Sequence, residues 1–485
     1  MLYAKAMNKK LFLFLSYFVI ALACILRIVT YYSHHYYVVP DEAHSLAGVK
    51  ESFLYLFTHF DQGANFLPLY KTILKLIYDV VGFTIPYFKL PSLFAGIASV
   101  FVFFSLSKKV FKNEIIIFCS LILYALNYNL IYYSSQIKPY EIDVLLCLII
   151  INFAVSFKDK IITNKNLVIM SLLSCIFVYT SIPAVVILQL CIAWLFIFNK
   201  ENRIKLTILE TILLITLSVE YFTYISQMHS DNSLKSMWTE DNFSFAPKSL
   251  SAVNALFNFS FLNFFWWDSH CPLNFSRTFL ILYLMIFLIG IINFLRQKEY
   301  GLIIVSPVFL FLILSYLNIY PFCNRLIIFL IPIFILIMFK AFEYNYKKYI
   351  GIFFAIILTV SFMFLIKKHE FYKYLITFNK EYYQQITDYV LPLNNIGDGE
   401  LIISTGSPYW FCLKNKNVYI NTEFYLLEDI DLQNKNKVYF AYNLVDDTQE
   451  NVDKFVRLLI KKGYNKSYSF DKEIHLSYIV FEKNN

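Results

Sequence analysis

Apolar stretches of about twenty residues recur from Leu11 to about residue 366, and such a stretch covers about 30 Å of hydrocarbon as an α-helix, whose backbone groups are satisfied internally. A polytopic α-helical membrane protein is therefore expected. Hydrophobic residues make up 58% and charged ones 16%, against about 25% charged in soluble domains. With 51 Phe and 38 Tyr against 11 Gly and 13 Pro, collagen-like, disordered and disulfide-scaffold classes are excluded. The first run, from Leu11 to Thr30 after Lys9 and Lys10, is of spanning length. It reads as an uncleaved span with a cytoplasmic N-terminus.

One stretch decides which of the later runs cross. From Phe66 to Gly82, Lys71, Lys75 and Asp79 fall at i, i+4 and i+8, one polar stripe along a helix. That is the pattern of a helix lying at the interface. If it does not span, the clusters Lys108-Lys109-Lys112, Lys158-Lys160-Lys165, Lys200-Arg203-Lys205, Arg296-Lys298 and Lys340-Lys347-Lys348 all share the side of Lys5, Lys9 and Lys10. The positive-inside rule then selects about eleven spans, near 11–30, 88–107, 114–133, 143–157, 166–181, 182–199, 206–228, 276–296, 301–319, 325–340 and 349–366. The N-terminus is inside and the C-terminus outside. The net charge of +8 thus serves as a topology signal and points to no nucleic-acid partner.

The expected organisation is a transmembrane domain over 1–366 with outer loops 31–87, 134–142 and 229–275, and a small extracytoplasmic α/β domain over 367–485. In that tail, 401–405, 418–420, 438–442 and 475–481 are short β-like runs, and 448–463 has helical periodicity. Cys24, Cys119, Cys147, Cys175 and Cys191 lie in apolar runs and read as small buried hydrophobes; Cys271, Cys323 and Cys412 fall in outer segments and leave one disulfide open.

Intramembrane and span-end charges are costly and mark function. Two groups stand out, both extracytoplasmic on this topology. Asp41-Glu42 follows the first span, and Lys138-Pro139-Tyr140-Glu141-Ile142-Asp143 sits at the mouth between the third and fourth spans. Glu220, near the middle of the seventh span, must face a cavity or a partner. His34, His35, His44 and His59 are irregularly spaced in the first loop, more the pattern of surface residues than of a zinc site.

Taken in order, Asp41-Glu42 after the first span, Pro68-Leu69-Tyr70 in the interfacial helix ending at Gly82, Lys89-Leu90-Pro91-Ser92, and Tyr133-Ser134 through Lys138-Pro139-Tyr140 to Asp143 resemble the glycosyltransferase C superfamily. The branch they are similar to is that of the protein mannosyltransferases and aminoarabinose transferases. Asn324-Arg325-Leu326 ahead of Pro332 resembles a further element of that branch. The resemblance covers about 20–150 well and 320–340 loosely; the loop 229–275 and the tail carry no matching motif. Where many members place His or Lys before a Pro-Pro pair, this chain has Asn65-Phe66-Leu67-Pro68.

The resemblance implies an inverting glycosyltransferase that moves one sugar from a polyprenyl-phosphate donor to an acceptor hydroxyl of a lipid, glycan or protein on the outer face, here of a bacterial inner membrane. It makes Asp41 the general base, because a carboxylate bonded to the acceptor hydroxyl serves when the leaving group is already a phosphate. Glu42 would orient the acceptor or, with Glu141 or Asp143, hold a divalent cation, for which oxygen ligands suit Mg or Mn. Lys138 and Arg325 are the candidates for the departing phosphate. Tyr140 joins them as a substrate-binding residue by resemblance alone. The rival class is a transporter or flippase of a lipid-linked glycan, which would carry midplane charges or broken helices in paired halves. Apart from Glu220, the acidic residues concentrate at outer span ends and no paired halves are evident.

Overall fold

A computed structural model of the chain describes residues 9–34, 42, 45–46, 49, 51–60, 67–82, 84–227, 277–296, 300–322, 324–343, 355–356, 359, 400–405, 419–421, 436–443, 449–471 and 476–483. The chain divides into two compact units, one of residues 1–35 and 48–377, the other of 36–47 and 378–485.

The first unit is helical. It runs through α1 (Lys9–His34), α2 (Phe53–Thr58), α3 (Pro68–Val81), α4 (Ile85–Val110), α5 (Glu114–Ala125), α6 (Tyr128–Tyr133), α7 (Tyr140–Phe157), α8 (Asn164–Val178), α9 (Ile182–Phe198) and α10 (Arg203–Glu220). Then follow a π-helical turn (Tyr221–Ile225), α11 (Arg277–Arg296), α12 (Gly301–Tyr316), a 3-10 segment (Asn324–Leu330) and α13 (Ile331–Glu343). Among the described residues, five segments are long and apolar enough to cross a membrane, namely Lys9–His34, Ile85–Val110, Tyr140–Phe157, Lys200–Ile225 and Arg325–Glu343. Five shorter apolar helices of 10–17 residues accompany them. All ten coincide in sequence with the first ten expected spans. The eleventh, 349–366, lies outside the described residues except at 355, 356 and 359.

Local chemistry sets the helix ends. Asn113, Thr163 and Ser181 each accept a hydrogen bond from a backbone N–H in the first turn that follows, which satisfies one of the donors a helix start leaves unpaired. The expected single span 114–133 is broken into α5 and α6 because Asn127 does the same for Leu130 at 3.2 Å, an N-cap inside an apolar run. The turn expected at Ser181-Ile182-Pro183 is where α9 begins, with a proline in its first turn.

The stretch expected at the interface is α3, 14 residues long; at 1.5 Å per residue it reaches about 21 Å, short of a span. Its two lysines face inward, while Asp79 at the end of the stripe is exposed. Lys71 and Lys75 are buried, whereas Leu76 is 50% and Val80 82% exposed. The Lys75 ammonium lies 3.1 Å from Asp79 and over the Phe53 ring, and Lys71 lies over Tyr224. The face the helix leaves uncovered is apolar.

The core is continuous through this unit. α4 packs along α7, α1 packs on α4 and α5, and α11 packs on α13. Every residue from Ile331 to Ala341 in α13 is buried, as expected of a helix apolar on all sides. At the ends carrying the basic clusters, the Lys340 ammonium meets Glu343 and the Val110 carbonyl. Asn202 bonds to Ile162 N–H and the Lys160 carbonyl. The five cysteines expected to be small buried hydrophobes are free thiols, buried or half-buried; Cys271, Cys323 and Cys412 lie outside the described residues.

The second unit contains a five-stranded mixed sheet in the order β2-β1-β3-β5-β4, from β1 (Glu400–Thr405), β2 (Tyr419–Asn421), β3 (Lys437–Asn443), β4 (Tyr464–Asp471) and β5 (Leu476–Lys483). β1 is parallel to β2 and β3, while β5 is antiparallel to β3 and β4. α14 (Gln449–Lys461) lays Val452, Phe455 and Leu459 on Val438, Phe440, Ile479 and Phe481. The strand β4 was not anticipated. It is an edge strand of the sequence Tyr-Asn-Lys-Ser-Tyr-Ser-Phe-Asp, whose polar residues suit an edge but mute the hydrophobic alternation by which strands are read.

Candidate functional site

The link from α6 to α7 joins two expected spans on the outer side, where a connection ordinarily meets water because buried backbone must find partners. Here Ser134, Ser135, Gln136, Ile137 and Lys138 are all buried. The Ser134 hydroxyl donates to the Ile131 carbonyl at 2.6 Å and the Ser135 hydroxyl to that of Tyr132 at 2.8 Å. From α4, Ser92 Oγ donates to the Lys138 carbonyl at 2.7 Å. Pro139, as N-cap of α7, needs no N–H partner. The expected loop 134–142 is thus shorter than the sequence suggested, and Tyr140, Glu141 and Asp143 stand in the first turn of α7.

Aromatic rings and one further cation line the same end of the first unit. Tyr140 packs edge-on to Tyr133 with centroids 5.1 Å apart, and Tyr132 contacts both Tyr133 and His34. The buried Lys89 ammonium donates to the His34 carbonyl at 2.9 Å, where a cation suits the negative end of α1.

The two carboxylates of α7 go separate ways, since residues two apart on a helix do not face each other. Asp143 lies toward Ser181, the N-cap of α9. Glu141 turns toward Arg27 of α1, and both are wholly buried. Arg27 was not among the sequence candidates, although a charge inside the first apolar run is itself a signal. Arg325 is exposed at the start of the 3-10 segment, which packs against α7.

Of the other candidates, Glu42 is buried and belongs to the second unit; Asp41 lies outside the described residues, as do His35, His44 and the loop 229–275. Glu220 is buried with one carboxylate oxygen lacking a hydrogen-bond partner, just before the π-helical turn. His34 Nδ1 lies 3.0 Å from the Thr30 carbonyl, and His59 stacks on Tyr55. Among the described residues no three His, Cys, Asp or Glu side chains converge as metal ligands. Glu141 and Asp143 diverge on α7 and by themselves form no ligand pair.

No protein-family model matches the sequence, and no curated protein matches it. Solved structures do. ArnT from Cupriavidus metallidurans bound to undecaprenyl phosphate is similar with a TM-score of 0.56 at 9% identity, over 96% of this chain and 98% of that one. Its apo state gives 0.55 at 8% identity, over 96% and 97%. The oligosaccharyltransferase of Archaeoglobus fulgidus, in complex with Zn and sulfate, gives 0.53 at 10% identity, over 96% of this chain and 72% of that one. At such identities the likeness is one of fold. The chain shares the glycosyltransferase C-type fold of these membrane proteins, the fold its motifs implied.

Proposed function

We propose that the protein is an inverting membrane glycosyltransferase that moves a monosaccharide from a polyprenyl-phosphate donor to an acceptor hydroxyl on the outer face of a bacterial inner membrane. One observation supports the reading: a buried turn, 134–138, carries Lys138 and leads into Tyr140 at the start of α7. It does so in a fold shared with a protein that was crystallised with undecaprenyl phosphate. Buried lysines without a functional or structural task are rare, because dehydrating the ammonium is costly.

In this reading Asp41 takes the proton of the acceptor hydroxyl as its oxygen attacks the anomeric carbon from the face opposite the phosphate. The bond from anomeric carbon to phosphate oxygen breaks, and its electron pair leaves with the phosphate. Lys138 and Arg325 meet the charge that develops there, the role in which fixed cations lower a barrier most. Tyr140 lines the donor, and Glu42 orients the acceptor. Glu141 or Asp143 orients the donor. Acceptor choice is assigned to the loop 229–275 and the tail, since loops carry specificity on a fixed scaffold.

The test is reconstitution into vesicles with a panel of polyprenyl-phosphate monosaccharides and extracted outer lipids as acceptors, with and without EDTA. Label arriving on an acceptor, together with free polyprenyl phosphate, is the expected result. Intact lipid-linked sugar crossing the bilayer with no transfer is the outcome that contradicts it and favours a flippase.

A further inference from the structure

The buried pair of Arg27 and Glu141 is built with unusual spatial economy. A Cβ on Gly96 of α4 would lie 3.3 Å from Arg27 Nε, 3.3 Å from Glu141 Oε2 and 2.7 Å from the Ser134 Cβ. Side chains from α1, α7 and the turn between α6 and α7 thus converge on the one position of α4 that has no side chain. Arg27 Nη1 donates to the carbonyls of Ala23 and Ala125 at 3.2 and 3.4 Å, which ties α1 to the end of α5. Its Nε and Nη2, and both oxygens of Glu141, have no hydrogen-bond partner among the described residues. The two side chains thus meet at the Gly96 notch without interlocking as a bidentate fork.

Stability alone explains such an arrangement poorly. Dehydrating two ions offsets most of their attraction, and apolar side chains of similar volume often serve a fold as well or better. The convergence does bring α1 up to the first turn of α7, at the one place on α4 where no side chain intervenes. Glu141 is the second residue of α7, three positions after Lys138 and next to Tyr140. The same segment is fixed by Ser92 of α4 on the Lys138 carbonyl. With Arg27 of α1, two helices thus meet this one turn.

We propose that Arg27 is a positioning residue for the donor site. Through the Glu141 carboxylate it sets the first turn of α7, and with it Lys138 and Tyr140, where the donor phosphate binds. The inference rests on the donor-site reading proposed above, and it gives Glu141 a supporting task instead of a ligating one.

The test uses full-length protein purified in detergent, with polyprenyl-phosphate sugar as the probe, and reads donor KM, kcat and melting temperature for wild type, Arg27→Met, Arg27→Lys and Arg27→Met/Glu141→Gln. Arg27→Met leaves a lone buried charge and is the variant most exposed to misfolding. The double variant removes both charges and is expected to melt near wild type while donor KM rises about tenfold and kcat changes less than about threefold, the signature of a shifted binding group. Arg27→Lys, which keeps the charge, should return KM to within about threefold of wild type. A folded double variant with wild-type donor KM would overturn the inference, and so would a double variant that does not fold, since the pair would then be an element of the fold. If wild type releases no polyprenyl phosphate from any donor, the donor-site reading itself has failed and the inference falls with it.

Discussion

Ser92 Oγ donates to the backbone carbonyl of Lys138 at 2.7 Å, a buried bond between the first third of α4 and the residue ahead of the Pro139 cap of α7. It fixes the backbone that carries Lys138. Ser92→Ala removes that bond, at a cost of about 0.5–1.5 kcal/mol. The expected outcome is a lower melting temperature together with a raised donor KM. Thermal unfolding in detergent and donor titration check the two parts separately; a fall in melting temperature with KM unchanged would mean that the bond serves folding alone.

Lys138 itself is predicted to act through its charge. Lys138→Met should lower kcat/KM for the donor by about a hundredfold, roughly 2.7 kcal/mol, in the range for removing one charged stabiliser of a developing oxyanion. Lys138→Arg should retain more activity than Lys138→Met because the positive charge remains. Equal losses in the two variants, measured as initial rates of polyprenyl phosphate release, would point to packing and not charge.

The exposed face of α3 is predicted to touch lipid. Leu76 and Val80 are exposed while Lys71 and Lys75 are buried, the reverse of a helix laid on a soluble surface. Val80→Trp in vesicles of brominated lipid should lose most of its tryptophan fluorescence relative to non-brominated vesicles. The comparison is made in protein whose five native tryptophans have been replaced by phenylalanine. Fluorescence unaffected by bromine would place this face against water or protein.

The sheet of the second unit depends on the contact between α14 and β3. Phe440 and Phe455 are both buried, with ring centroids 4.2 Å apart. Phe455→Ala should cost about 3–5 kcal/mol, enough to open a small core. Hydrogen exchange of the full chain should show β3 and β5 losing protection while α4 and α7 keep theirs. Unchanged protection of β3 would show that α14 is not what holds the sheet.

Much of the helical frame was legible because period and charge are local signals. Runs of spanning length, bounded by the lysines at 108–112 and 158–165, gave helices at the right places, and the stripe of Lys71, Lys75 and Asp79 marked α3 as different. What the sequence left open depends on the third dimension. The stripe does not say which of its sides meets protein. Asn127 reads as one polar residue in an apolar run, and only the bond from Leu130 N–H shows it to be a helix start. The motif Lys138 to Asp143 was legible as a unit, but the divergence of Glu141 and Asp143 follows from the helix beginning at Tyr140, three residues earlier than its hydropathy suggests. Arg27 was visible as a charge among apolar residues; its relation to Glu141, 114 positions away in the chain, exists only once α1, α4 and α7 are packed around Gly96.

The central claim is that this fold transfers a sugar with Asp41 as the base. The most direct measurement is the rate of polyprenyl phosphate release from a polyprenyl-phosphate monosaccharide, with acceptor lipids present, for wild type and for Asp41→Asn purified in the same detergent. The account predicts release by wild type and a loss of at least about a hundredfold in Asp41→Asn at unchanged melting temperature. An Asn variant that turns over like wild type would contradict the assignment of the base, and a wild-type protein that releases nothing from any donor would contradict the transferase itself.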